Sequence, residues 1–237
     1  MAENRFVWLG HSAFKVTTSQ GKVIYIDPFL SGNPNCPETE KNPTACDIIA
    51  ITHGHGDHVG DTYEIYRKFK PKVVSIFDLT IILNKNGISD SDLIGLNVGG
   101  TVEVDGIKFS MTPATHSGSA FDGDNLVYGG DPVGYVITLE DGFRFYHSGD
   151  TWVMADMEFV GKLFEPEVAF LPIGGHFTMD VKGAALSAKL LNVKRVIPMH
   201  YATFPVLKGT PDELKAELED SGIEVIVPAV GEEFILP

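Results

Sequence analysis

The sequence predicts an α/β (α+β) fold arranged as a four-layer αββα sandwich, and three observations carry that prediction. A β-rich stretch gives way to strands and helices in alternation, the same succession then occurs again, and both stretches contain strand pairs joined by Gly-containing turns. Two halves, each a sheet with helices on its outer face, stack into four layers. At 237 residues the chain is long enough to bury a sizeable core, and it reads as one domain spanning 1–237.

The elements follow in order. Phe6–Leu9, Phe14–Thr17 and Val23–Asp27 are short β-branched and aromatic runs, with Ser19–Lys22 as the turn between the second and third. Breakers Gly32, Pro34, Pro37 and Pro43 mark a polar loop from Ser31 to about Ala45. Asp47–Thr52 reads as a buried strand, Thr62–Phe69 has helical spacing, Lys72–Ile76 is a strand, and Leu79–Asn84 is a short helix stopped by Gly87. Hairpins return at Thr101–Met111 and Gly134–Tyr146, with Asp105-Gly106 and Asp141-Gly142 as the turns. The last third alternates strand Val168–Ile173, helix Lys182–Leu191, strand Arg195–Pro198, helix Pro211–Asp220 and strand Ile223–Val227. In the final helix Thr210 is the N-cap, Pro211 suits the first position, Glu213 completes a capping box and Gly222 ends it.

Composition narrows the function classes. With 43% hydrophobic and 21% charged residues the chain is an ordinary globular one. No apolar run approaches the ~18 residues of a membrane span, and Met1–Arg5 leads into a strand without a signal-peptide pattern, so a cytoplasmic protein without a membrane partner is expected. Cys36 and Cys46 are too few for a disulfide scaffold and read as free thiols. The formal net charge of −14 repels a phosphate backbone and argues against nucleic acid as a general partner. A small-molecule substrate is expected; a homo-oligomer stays open.

Three of the eight histidines fall within one six-residue window, in Ile51-Thr-His-Gly-His-Gly-Asp-His58. His53 and His55, alternating with Gly54 and Gly56, can converge on one cation, while Asp57 and His58 point to a second position. Imidazole nitrogen and carboxylate oxygen are suitable donors for a zinc-type ion. One loop cannot complete two coordination shells. His116, Asp150 and His200, each just beyond a predicted strand, supply the remainder. Five imidazoles and two carboxylates fill two sites and leave room for water, which a cation pair activates towards a hydroxide nucleophile while polarising the substrate oxygen.

The HxHxDH motif followed in order by His, Asp and His resembles the metallo-β-lactamase superfamily. More narrowly, Trp8–Phe14, Ile26–Phe29, Thr52–Asp61, Leu171–Met179 and Pro198–Pro205 are similar to the UPF0173 metal-dependent hydrolases. The resemblance covers nearly the whole chain and implies the αββα fold of the metallo-β-lactamase type with a binuclear centre. It implies that His53, His55 and His116 hold one metal, that Asp57, His58 and His200 hold the other, and that Asp150 bridges them. The two divalent ions would be zinc, with manganese, iron, cobalt or nickel also fitting the donors. The implied activity is hydrolysis of a small ester-like substrate, a phosphodiester or a lactone, by a metal-bridging hydroxide. Two other readings stand beside it: a non-catalytic metal-binding regulatory module, and an RNA-processing nuclease of the same fold, which the absence of a basic run disfavours. A di-iron flavoprotein would carry HxExD instead, and a β-lactam substrate does not suit the motif context.

Further residues have candidate roles. Asp57 can orient the nucleophile as well as bind metal. Asp27, in Ile-Asp-Pro, is either an acceptor that holds the histidine loop or one of its imidazoles, or a turn former before Pro28. His11 after Gly10 is either a substrate contact or proton donor at the site edge, or a structural turn residue. His176, after Gly174-Gly175, is the stronger candidate for contacting substrate or leaving group. Thr178 and Thr203 are candidate pocket hydroxyls, and His147 is expected to pack or hydrogen-bond. Phe121–Gly130 is either a lid or a surface loop.

Overall fold

β-branched and aromatic runs form the first strands, β1 (Arg5–Trp8), β2 (Phe14–Thr17) and β3 (Val23–Ile26), in the computed structural model, which describes residues 3–236. Phe14 and Val16 are buried while Lys15 and Thr17 are partly exposed, so β2 keeps the two-residue period of a half-buried strand. β4 (Ile48–Ala50) is buried throughout, as a central parallel strand must be. The chain continues through α1 (Gly56–Val59), α2 (Thr62–Phe69), β5 (Lys72–Ile76), α3 (Phe77–Lys85) and β6 (Leu93–Leu96). The second half contains β7 (Thr101–Val104), β8 (Ile107–Pro113), β9 (Ser119–Asp122), β10 (Asn125–Tyr128), β11 (Val133–Thr138), β12 (Arg144–His147), α4 (Asp156–Phe164), β13 (Val168–Pro172), α5 (Val181–Leu191), β14 (Arg195–Met199), α6 (Pro211–Leu218), β15 (Glu224–Val225) and β16 (Glu233–Ile235).

Two seven-stranded sheets result, ordered β16-β1-β2-β3-β4-β5-β6 and β15-β14-β13-β12-β11-β8-β7. Their inner faces meet through aromatic rings, with Phe6 against Phe145 at 5.4 Å and Phe14 against Phe170 at 4.6 Å between centroids. α3 covers β5 and β6; α5 packs on β13 between α4 and α6. Ala184, Ala185, Ala188 and Leu191 recur on one face of α5, and that face is the buried one. The four-layer αββα order is therefore present.

Three features depart from the expectations. Phe121–Gly130 is largely an antiparallel hairpin, β9 and β10, turning at Gly123 (φ +59°) and leaving Phe121, Leu126 and Tyr128 exposed. Its glycines and acidic residues conceal the alternation that marks a strand. β16 crosses back to pair with β1, Arg5 opposite Ile235, so the first sheet borrows its edge from the end of the chain. The final helix stops at Leu218, before Asp220, although the Thr210–Glu213 capping box forms on both sides.

Parallel pairing aligns the ends that matter. β3, β4, β5 and β6 run in parallel, as do β12, β13, β14 and β15, and two antiparallel steps through β11 give β8 the direction of β12. Asp27, His53, His116, Asp150 and His200 follow the C-terminal ends of β3, β4, β8, β12 and β14. The sheets are joined near these ends: Tyr135 Oη donates to Ile51 O at 2.9 Å and Val133 N to Thr52 O at 3.0 Å.

Candidate metal centre

The histidine loop leaves β4 through Thr52, whose backbone N–H donates to Asp27 Oδ1 at 2.8 Å. The Thr52 hydroxyl has one proton and lies 2.7 Å from Asp27 Oδ2, an acceptor, so it donates there. It then accepts from His53 Nδ1 at 3.0 Å, which leaves His53 Nε2 bare. Gly54 lets the loop run against β9: a Cβ there would lie 2.6 Å from Ala120 Cβ and 2.7 Å from Ser119 O. His55 Nδ1 then sits 3.0 Å from His53 Nε2, with its other nitrogen 3.2 Å from Ser117 Oγ.

His58 is fixed in the same way. Its Nδ1 donates to Asp27 Oδ2 at 2.8 Å, both side chains being fully buried. Its Nε2 is buried without a hydrogen bond and stands 3.3 Å from Asp150 Oδ2. That oxygen also lies 3.0 Å from His200 Nε2 and 3.7 Å from His116 Nε2, while Ser12 Oγ approaches the other oxygen at 3.4 Å. One carboxylate oxygen thus faces imidazoles from three separate elements.

His11 completes the cluster from the loop between β1 and β2. Its ring lies 3.9 Å from that of His200 between centroids, Nε2 is 3.1 Å from Asp57 Oδ2 and Nδ1 is 3.0 Å from Thr203 Oγ1. The backbone is left-handed at His11 (φ 56°), Asp27 (46°) and His200 (54°), a conformation rare for side chains of this size and concentrated here at one site.

The electrostatics divide the imidazoles. Burial holds His53 well below the usual histidine range and lowers His55 and His116, keeping them neutral as ligands must be. Burial opposes charge on His58 too, but Asp150 and Asp27 on either side outweigh it and raise its pKa well above the ordinary value. Burial would raise Asp150, yet His200 and His58 keep it well below the usual carboxylate range. Carboxylates this deep need positive charge beside them.

Three donor groupings can each hold a cation: His53, His55 and His116; His11, Asp57, His58 and His200; and His53, His58 and Asp150 between them. Within each, the ligand atoms lie within 4.8 Å of one another. The residues fit metal ions on their own chemistry, since His58 Nε2, beside Asp150, is a buried polar atom without a hydrogen bond.

Asp27 is both a strand-end residue before Pro28 and the acceptor that holds His58 and Thr52. His147 is buried and bonds Ser12 O at 3.0 Å, as a packing residue does. His176 and Thr178 are not drawn into the cluster. Their loop is closed by Gly175 N to Met179 O at 3.2 Å and tied inward by Met179 N to Thr151 O at 3.0 Å, so His176 stands exposed on the outer turn against Phe177. It lines a separate cavity of about 570 Å³ with Lys182 and Lys208, whose wall at Gly174 packs on His200 O. Thr52, Ser12 and Ser117 belong to no donor motif; their one signal in the sequence is a hydroxyl adjoining a histidine or close to one.

Known proteins resemble this chain in sequence and in fold. Residues 5–200 match the model of the β-lactamase superfamily domain. The chain is 45% identical to a UPF0173 metal-dependent hydrolase of Koribacter versatilis over 94% of this chain and 95% of that one, and 42% identical to one of Methanopyrus kandleri over 97% and 99%. A solved metallo hydrolase from Ignicoccus hospitalis superposes with a TM-score of 0.87 at 39% identity, covering 99% and 98% of the two chains. An isothiocyanate hydrolase from Delia radicum gut bacteria shares the fold, with a TM-score of 0.73 at 21% identity, over 98% and 99%.

Proposed function

Because this chain belongs to the UPF0173 metal-dependent hydrolases of the β-lactamase superfamily, we propose that it binds two divalent cations, zinc foremost, and hydrolyses a small ester-like substrate, a phosphodiester or a lactone. The observation that carries this reading is Asp150 Oδ2, in reach of His58, His116 and His200 at once. A bridging carboxylate between a position held by His53, His55 and His116 and one held by Asp57, His58 and His200 accounts for that convergence.

When bound, such a pair lowers the pKa of a shared water and polarises the substrate oxygen. The chain's own residues prepare the rest. Asp27 and Thr52 hold the Nδ1 sides of His58 and His53, so that both rings direct Nε2 towards the donor cluster. Asp57, its side chain 31% exposed, is the carboxylate that faces the opening, where it orients the attacking water. His176 is assigned to the outer part of the substrate, supported by its exposure on the loop whose Gly174 touches His200.

Among the described residues no helix is long and apolar enough to cross a membrane. The two buried free thiols suit a reducing cytoplasm, and the charge of −14 suits a small substrate over nucleic acid. The test is elemental analysis of the purified chain together with hydrolysis of bis-p-nitrophenyl phosphate and of a lactone panel in Zn²⁺, Mn²⁺ or Ni²⁺. Two equivalents of metal and turnover on one class support the reading. Bound metal without turnover on either favours a regulatory metal-binding role.

A further inference from the structure

Resting on the two-cation reading above, we propose that His11, held by Thr203, is the positioning residue that fixes Asp57 at the second metal position. His11 lies outside the HxHxDH–His–Asp–His set, in the Gly10-His-Ser loop, yet it is wholly buried at the centre. Such burial needs a reason, and its two ring nitrogens supply one.

An ionised carboxylate only accepts hydrogen bonds, so the 3.1 Å contact with Asp57 Oδ2 places the proton on His11 Nε2. The neutral ring then presents a bare Nδ1, and the hydroxyl 3.0 Å away on Thr203 must donate to it. Among the described residues a second acceptor near that hydroxyl, Tyr201 O, is more distant at 3.4 Å. The ring plane is held as well: Phe29 and Phe204 make T-shaped contacts at 5.8 and 5.5 Å between centroids, and the His200 ring, tilted by 40°, lies at 3.9 Å. The backbone is coupled too, His200 N–H donating to His11 O at 3.0 Å.

Thr203, His11 and Asp57 therefore form a directed chain of hydrogen bonds. One oxygen of Asp57 is committed to His11, and the other is left to face the cation. Hydrogen bonds of this kind orient a ligating carboxylate, and losing them costs typically about 10–100-fold in metal affinity.

The test is Co²⁺ titration, following the visible absorption of the bound ion and the stoichiometry by calorimetry, on the wild type, His11→Ala, His11→Gln, Thr203→Val, Thr203→Ser and Asp57→Asn. Wild type should bind two equivalents. His11→Ala should weaken one of them about 10–100-fold and leave the other in place. His11→Gln, whose amide can still donate to Asp57, should recover most of the loss. Thr203→Val, nearly isosteric and separated from Asp57 by the His11 ring, should weaken the same equivalent, and Thr203→Ser should not. In the Asp57→Asn background the His11→Ala change should add nothing, because His11 acts through Asp57.

Undiminished binding of both ions by His11→Ala or Thr203→Val would overturn the proposal. So would equal loss in His11→Ala and His11→Gln, or a further loss from His11→Ala on top of Asp57→Asn, which would make His11 a ligand itself. A wild type that binds one equivalent would instead remove the two-cation reading, and the wild-type titration alone would reveal it.

Discussion

Asp27 Oδ2 accepts from His58 Nδ1 at 2.8 Å in a contact closed to solvent on both sides. That bond decides which nitrogen of His58 faces Asp150. In Asp27→Asn the amide oxygen can still accept from Thr52 N, but the NH₂ group then opposes His58 Nδ1–H. His58 should switch tautomer and protonate Nε2, blocking its lone pair. We expect a folded protein whose metal affinity falls about 10–100-fold, measured by competition with a chromogenic chelator.

Metal removal should destabilise the chain. A ligand that binds only the folded state at a thousand times its Kd adds about 4.1 kcal/mol, and at roughly 2–4 °C per kcal/mol for a chain of this length that is a Tm rise of about 8–16 °C. Differential scanning calorimetry with and without Zn²⁺ after chelation measures it. His53→Ala and Asp150→Ala should abolish most of the shift.

Gly54→Ala tests the contact between the histidine loop and the β9–β10 hairpin. The added Cβ meets Ala120 Cβ and Ser119 O, one of them backbone, so the loop or the hairpin must move. Overpacking of this kind costs about 1–3 kcal/mol, and the displaced His53 and His55 should bind their cation more weakly. Chemical denaturation and Co²⁺ titration report the two effects separately.

The cysteines give the alkaline limb of stability. Burial pushes the Cys36 thiol up to about 11, and the Cys46 thiol higher still. A folded chain that keeps these protons while the unfolded chain releases them near pH 9 loses stability as pH rises above 9, and gains nothing below it. For Cys46 the loss is at most about 1.4 kcal/mol per pH unit. Urea midpoints between pH 8 and 11 should fall in the wild type and fall less in Cys46→Ala. Ellman's reagent should label neither thiol of the folded protein at pH 8.

Much of this architecture is legible in the sequence because it rests on local signals. Thr210 and Glu213 cap α6 through atoms three residues apart, and His53, His55, Asp57 and His58 declare themselves by spacing alone. β16 is not legible, since its partner β1 lies more than two hundred residues away and nothing local selects it. His11 and His176 look alike in the sequence, each after a glycine. Gly10 (φ +87°) turns its histidine into the core, where a Cβ would meet Asn35 at 2.9 Å, whereas Gly175 (φ +83°) sits on a loop that points His176 outward. The role of Thr52 depends on where a single hydroxyl proton goes, and only the three-dimensional set of acceptors decides that.

The left-handed backbone at His11, Asp27 and His200 sets a limit on how this protein can evolve. Glycine would adopt each of those bends without steric cost, and a non-glycine residue held there stores on the order of 1–3 kcal/mol. Relieving the bend at position 200 alone would leave Asp150 buried without its imidazole partner, so the strained backbone and the charge pair are retained or lost together. A lineage that gives up His200 should therefore change Asp150 with it, and the persistence of both would record continued demand for the centre they frame.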